Sequence, residues 1–405
     1  MNTSFAWGIS TSSYQFEDPA VRPGDPDYFE TDWDACLVHH GKAPPRGQAL
    51  HSWTHFAKDL AALKKIGVTH YRFGVEWARM EPQPGVYNEA AITRYVGMAR
   101  SLKAAGIEPV VCLWHFTFPG WLYDARRPNH SNWLHPDARG RWQAFLHKLI
   151  PRLAPHVQIF APQNEPNGQL STAYLAGLWP PGKHLEFPVY HRALTASVTH
   201  YTDAAQIIRS LRQDAVILSI HALPWWERGR TDVAGFLFRK TMESSYEHLD
   251  RVAAVTDLIG INYYYSLTAT IAGFVSISTH RGPHYSMMGW HIDPEGLYRQ
   301  IQYVGDRYKK PMMVTENGVA TPADSKRVRY LRDHLDAVRR AREDGADVRG
   351  YFVWSLADNY EWHYGYRARF GLCRFNPKTL ERELRPSARL YRTIIRKGLS
   401  ALPES

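Results

Sequence analysis

Cysteine is scarce in this chain. Its 405 residues include only Cys36, Cys112 and Cys373. An odd number at wide spacing excludes a disulfide framework and leaves no CxxC pair for a metal. Long apolar runs are also missing, since no stretch approaches the roughly eighteen apolar residues that span a bilayer. The opening residues, MNTSFAWGISTSSYQFED, have neither the basic start nor the apolar core of a secretion signal. The expectation is a protein of the reducing cytoplasm without membrane attachment. Low-complexity linkers and internal repeats are absent as well, so nothing divides the chain, and one domain over residues 1–405 is expected.

Acidic residues are outnumbered, with 49 Lys and Arg against 39 Asp and Glu, a formal charge of +10. The bases are dispersed. The densest groups, Arg339–Arg342 and Arg382–Arg396, alternate with acids or apolar residues, as solvated helix faces do. No stripe of bases interleaves with aromatics in the way that phosphate tracking requires, so nucleic acid is not expected as a partner. Several chemistries fail for want of their motifs. Neither HExxH nor GxSxG occurs. The segment GLWPPGKH, Gly177–His184, follows a phosphate-binding loop for seven positions and fails at the eighth, where His184 replaces the Ser or Thr that meets magnesium. Pro180 and Pro181 also remove N–H donors that such a loop aims at phosphate. His39–His40 reads as a surface pair. No metal or cofactor is expected, although spacing alone does not exclude a ligand set of His115, Glu165 and Glu316.

What the chain does have is a recurring unit, a short apolar run followed by an amphipathic helix. The runs are Phe5–Ser10, Val68–Gly74, Ile107–His115, Gln158–Asn164, Val216–Ser219, Asp257–Tyr263, Met312–Thr315 and Gly350–Ser355. Nearly continuous apolar character marks strands covered on both faces, as in a parallel sheet. Between them, AKDLAALKKIG, AITRYVGMARSLKAAG and KRVRYLRDHLDAVRRAREDG carry apolar residues at three- and four-residue steps and close on Gly67, Gly106 and Gly345. Eight such units predict an α/β fold, a (β/α)8 TIM barrel, with a doubly wound open sheet as the alternative. A barrel of this kind gathers its chemistry at the C-terminal strand ends. There the sequence puts Gln15, Arg72 and Glu76, His115, Asn164 and Glu165, Asn262 to Tyr264, Glu316 and Asn317, and Trp354.

Two of these are glutamates on the fourth and seventh strands. Glu165 ends IFAPQNE and precedes Pro166; alone it reads more readily as a surface-loop carboxylate. Glu316 lies in MMVTENG, where Asn-Gly is the strongest short hairpin signal. The following segment, however, is a helix over Ser325–Arg342 and not a returning strand, which makes the stretch a strand-to-helix loop. Two carboxyls facing each other across a barrel mouth are what glycoside hydrolysis uses, one to attack or activate water and one to protonate the leaving oxygen.

With these residues assembled, the sequence resembles glycoside hydrolase family 1, the β-glucosidase and β-galactosidase family, over nearly its whole length. The matching segments run in order: FAWGISTSSYQFE, LWHFTFPGWL, FAPQNEPN, AYLAGLWPPG, DLIGINYYY, MGWHIDPEGL, VTENG and GYFVWSLADNYEWHYGYRARFGL. The resemblance implies an exo-acting, retaining β-glycosidase working on a small-molecule or oligosaccharide β-glycoside, with Glu316 as nucleophile and Glu165 as acid/base. Retention goes with carboxyls about 5–5.5 Å apart. Arg72 and Tyr264 would orient Glu316, since a cation and a phenol donor both favour a charged carboxylate. Asn164 would bond the sugar 2-hydroxyl. Gln15, His115, Glu361 and Trp362 would hold the outer hydroxyls, with Asn262, Trp354 and Phe370 completing the sugar site. The 6-phosphoglycosidase branch has a serine and a basic group where Glu361 stands, so neutral gluco-, galacto- or fuco-configured sugars are expected. Four features depart from the family pattern: Gln15-Phe16-Glu17-Asp18 in place of Gln-x-Glu-Gly, the segment Pro19–Ala49, Phe116 where many members have tryptophan, and a short Arg374–Arg385. Transglycosylation through the same intermediate is an alternative, as is a non-catalytic sugar-binding barrel, against which the retention of both glutamates argues.

Overall fold

The computed structural model describes residues 5–19, 25, 28–230, 235–269 and 282–402. Residues 1–4 of the N-terminal stretch, and part of Pro19–Ala49, lie outside the described residues. Eight strands close into a barrel: β1 (Ala6–Ser10), β2 (His70–Gly74), β3 (Glu108–Cys112), β4 (Ile159–Ala161), β5 (Val216–Ala222), β6 (Leu258–Asn262), β7 (Met312–Asn317) and β8 (Val348–Trp354). Every neighbouring pair is parallel, and β1 meets β8 from Ala6 opposite Gly350 to Ser10 opposite Trp354. Eight helices follow the strands in turn: α1 (Phe56–Ile66), α2 (Glu89–Ala104), α3 (Ala138–Leu153), α4 (Phe187–Leu211), α5 (Phe236–Val252), α6 (Pro294–Tyr308), α7 (Asp324–Glu343) and α8 (Pro386–Lys397). The open sheet is excluded by closure. Among the described residues no helix is long and apolar enough to cross a membrane.

The two-sided apolar character of the strands has a direct outcome. Val216, Leu218 and Ile220 of β5 join Val110, Cys112, Ile159, Leu258, Met313 and Phe352 in one cluster that fills the barrel. The alternate residues, such as Val111, Phe160, Ile217, Ile259 and Ile261, belong to the larger cluster between barrel and helices. Each such side chain contributes about 1.5–3 kcal/mol on burial. Helix α1 stops at Gly67, whose φ of +87° is a left-handed cap that a Cβ would disfavour.

The strand bounds differ from the sequence reading in ways with a physical cause. The run Gln158–Asn164 is cut to Ile159–Ala161 because Pro162 has no N–H for the ladder. Asn164 rejoins the sheet by a single bridge to Ile220. Strand β7 instead runs on through Glu316 and Asn317, so the Glu-Asn-Gly stretch is no turn. Gly318 serves close approach: a Cβ there would lie 2.0 Å from the carbonyl oxygen of Trp354. Two small sheets, Trp225–Arg228 with Ser266–Ala269 and Cys373–Asn376 with Glu381–Leu384, lie outside the barrel and have no counterpart in the sequence reading.

The second of these is tied to α1 by a buried ion pair. Arg382 Nε lies 2.6 Å from Asp59 Oδ1, with both side chains out of water, and its other nitrogens reach the carbonyls of Leu380 and Leu50. Arg382→Leu would leave Asp59 buried without a counter-charge, at a cost of about 3–5 kcal/mol. Burial already raises the Asp59 pKa and Arg382 opposes that rise. In the variant the raised pKa means stability is lost as pH increases, so the melting-temperature deficit should be larger near pH 8 than near pH 5. Thermal unfolding at the two pH values measures it.

Candidate active site

Arg72 stands in the middle of β2 with its side chain fully buried, and Glu316 on β7 lies across the mouth from it. Arg72 Nη2 pairs with Glu316 Oε1, and the Tyr264 hydroxyl donates to Oε2. Tyr264 follows β6 and is braced by Trp290 and Phe370, at ring separations of 5.5 and 5.9 Å. Both oxygens of Glu316 are thus fixed by donors.

Glu165 is held differently. It precedes a short helix, Pro166–Tyr174, and adopts φ +44°, ψ +49°, a left-handed conformation unusual for a residue with a Cβ. Its N–H donates to the carbonyl of Ile220 at 2.8 Å, and Pro166 fits the first helical position because it lacks an N–H. Glu165 Oε1 accepts from Asn262 Nδ2 at 2.7 Å. Burial pushes the Glu165 pKa up to about 8, the charge of Glu316 adds to the rise, and the Asn262 hydrogen bond opposes it.

Both glutamates open on one cavity of about 290 Å³ at the C-terminal strand ends, with Gln15, His115, Asn262, Tyr264, Trp354, Glu361, Trp362 and Phe370 in its wall. Arg72 and Asn164 lie behind that wall. Asn164 Oδ1 accepts from Arg72 at 3.2 Å and from Asn262 at 3.3 Å, and its Nδ2 is 3.4 Å from His115 Nε2. Since an amide nitrogen only donates, His115 Nε2 accepts and the ring proton sits on Nδ1. Burial, and then Arg72, hold His115 well below its usual pKa, so the ring is neutral.

Glu361 is gathered with Gln15. Gln15 Nε2 donates to Glu361 Oε2 at 3.2 Å and to the carbonyl of Tyr360 at 2.8 Å, while its oxygen accepts from Ser12. Asn359 donates to the same carboxyl oxygen at 3.0 Å. Burial pushes Glu361 up to about 8 against those bonds, so near neutral pH it is largely an uncharged carboxyl. The case against a phosphate ligand therefore rests on composition more than on its charge: no Lys or Arg is among the described residues lining the cavity.

Two rim residues of the sequence reading belong to the scaffold. Glu76 is bonded by Ser13 and Thr117, and Asn317 by Tyr330, Tyr351 and the carbonyl of Tyr263; neither lines the cavity. The sequence reading missed part of the wall: Trp179, Tyr265, Met288 and Trp290, and beside Glu165 the residues Gly168 and Gln169. Trp179 comes from the false phosphate loop, where it packs on Phe116 at 4.6 Å and on Trp362 at 5.2 Å. In sequence it is marked only by its place in AYLAGLWPPG, the family-like segment after Glu165, with no role attached to it there. His39 is exposed and pairs with Glu30 at 3.2 Å. All three cysteines are buried and unpaired. Among the described residues no group of three or more His, Cys, Asp and Glu side chains is arranged to hold a metal ion.

Comparison with known proteins extends this picture. The profile of glycosyl hydrolase family 1 matches residues 1–235 and 237–399. Beta-glucosidase A of Acetivibrio thermocellus is 28% identical over 449 residues, covering 97% of this chain and 98% of that protein. A chloroplastic galactolipid galactosyltransferase of Arabidopsis thaliana is 29% identical over 414 residues, covering 96% of this chain, which spans 64% of that protein's length. Among solved structures, a β-glycosidase from Pyrococcus horikoshii superposes with a TM-score of 0.85 at 29% identity, covering 98% of this chain and 94% of that one. A profile match over almost the whole chain, on a closed barrel with two glutamates at its mouth, means that the chain belongs to glycosyl hydrolase family 1.

Proposed function

We propose that this family 1 glycosyl hydrolase is an exo-acting β-glycosidase that retains anomeric configuration, with Glu316 as nucleophile and Glu165 as acid/base. One observation carries the reading: two glutamates share one cavity in opposite electrostatic settings. Glu316 is bonded on both oxygens by a guanidinium and a phenol, whereas Glu165 is half-buried in the cavity wall, beside the charge of Glu316, and pushed up to about 8. Environments that separate two carboxyls in this way assign one as nucleophile and the other as proton donor.

The steps follow from those settings. Near neutral pH, Glu165 carries the proton that the departing glycosidic oxygen needs. Glu316 attacks the anomeric carbon from the opposite face and forms a covalent glycosyl-enzyme. Water then attacks the anomeric carbon from the face the aglycone left and gives its proton to the now ionised Glu165, while the bond to Glu316 breaks and the sugar leaves with its original configuration. Gln15, His115, Glu361 and Trp362 hold the sugar hydroxyls, with Asn262 beside them in the wall and Asn164 behind it, and Trp354 is the floor beneath the ring with Phe370 beside it. The absence of Lys and Arg among the described residues of the cavity wall favours a neutral glycone. Three buried, unpaired cysteines fit the cytoplasm as its place of action.

Removing the nucleophile in Glu316→Gly should abolish turnover, and azide or formate should restore part of it with an α-configured product. Glu165→Ala should keep much of its glycosylation rate on dinitrophenyl glycosides, which need no proton, and azide should then give a β-product. The reverse stereochemistry in the two rescues would exchange the roles, and inversion by the wild-type enzyme would end the retaining reading. A panel of β-linked nitrophenyl glucoside, galactoside, fucoside, mannoside and xyloside identifies the glycone. The likeness to a galactosyltransferase favours transglycosylation as a second reading, and product analysis with an added alcohol or sugar acceptor separates the two.

The pH dependence has a definite sign. Glu165 must be protonated for the first step, so kcat/KM should fall as pH rises through about 8. The negative charge of Glu316 is one cause of that high value, so Glu316→Gln should lower the Glu165 pKa. A carboxyl titration followed by ¹³C NMR measures the change.

A further inference from the structure

On the protein side of the cavity, a line of hydrogen bonds starts from a group that can only donate. Arg72 gives one terminal nitrogen to Glu316 and the other to Asn164 Oδ1, at 3.2 Å for the second. Asn164 Oδ1 is therefore an acceptor, and it also takes a proton from Asn262 Nδ2 at 3.3 Å. The second proton on that nitrogen goes to Glu165 Oε1 at 2.7 Å. Asn262 has then used both its donors, and its oxygen must find a donor on the other side. The Thr315 hydroxyl supplies it at 2.7 Å.

We infer that Thr315 is a positioning residue for the acid/base carboxyl: its hydroxyl completes the bonding of Asn262 and so keeps the amide nitrogen turned toward Glu165. The inference rests on the assignment of Glu165 proposed above. Thr315 itself touches no substrate, since it is fully buried and does not line the cavity. Its setting is tightly built. Ser10 Oγ donates to the Thr315 carbonyl at 2.6 Å, which fixes the backbone. Gly260 on the neighbouring strand makes room for the side chain: a Cβ there would lie 2.9 Å from both Oγ1 and Cγ2 of Thr315. The residue directly before the nucleophile in the chain thus acts on the other catalytic carboxyl through one amide. Because an N–H donor favours the charged carboxyl, loss of this arrangement should make Glu165 harder to ionise.

Thr315→Val removes the donor at nearly constant volume and leaves the Asn262 oxygen buried without a partner. The Glu165 carboxyl, labelled with ¹³C and assigned by its disappearance in Glu165→Gln, should then titrate at a pH higher by about half a unit or more. The alkaline limb of kcat/KM should move with it, and Thr315→Ser, which keeps the hydroxyl, should restore both. If the valine variant does not fold, as judged by circular dichroism, Thr315→Ala takes its place. An unmoved Glu165 titration, or a serine variant that behaves like valine, overturns the inference. A titration that moves while the kinetic limb stays in place upholds the link from Thr315 to Glu165 and instead refutes Glu165 as the proton donor.

Discussion

A guanidinium with no access to water cannot stand alone, and the mouth of this barrel is arranged around that constraint. Arg72 is fully buried, as is the network it touches. Its charge is tolerable only with a carboxylate and further acceptors at bonding distance, because breaking a buried pair by removing one member costs about 3–5 kcal/mol. Glu316 and Asn164 are those partners. Once Arg72 has fixed Asn164 as an acceptor, Asn262 has one possible orientation, and the donor offered to Glu165 follows from it. The two carboxyls are therefore joined through the protein by one directed line of bonds from strands β2, β6 and β7 and the end of β4.

The same site is built largely of aromatic matter, and this has an electrostatic result. Phe116, Trp179 and Trp362 pack on one another, as do Tyr264, Trp290 and Phe370. A wall this rich in rings penalises charge, and burial is the first cause of the raised pKa values at Glu165 and Glu361. Rings that suit the flat faces of a sugar thus also keep an acid protonated. The rim bears strain as well: Phe116, Glu165 and Trp362 all have positive φ, at +74°, +44° and +51°. Each such residue costs on the order of 1–3 kcal/mol and persists only because its surroundings over-determine it. The closed barrel below supplies that constraint.

The chain's own order of residues determined the repeating strand–helix unit, the two-sided apolar strands and the presence of Glu165 and Glu316 at strand ends. These are local properties: periodicity, a proline or glycine stop, a short polar cluster after an apolar run. Ten of the candidate residues, including both glutamates, line one cavity because a closed parallel barrel brings every C-terminal strand end to one rim. The sequence left undecided whatever depends on a partner far along the chain. Glu76 and Glu165 both follow apolar strands, yet Ser13 and Thr117 bind the first into the scaffold while the second faces the cavity. The Asn-Gly pair after Glu316 reads as a loop between strand and helix, and only the carbonyl of Trp354, packed against it, explains the glycine. Trp179 and Trp290 entered the wall from loops with no strand pattern of their own. Pattern along a chain records which faces avoid water; which donor meets which acceptor, and so which carboxyl keeps its proton, is set only when closure brings distant strands within hydrogen-bond reach.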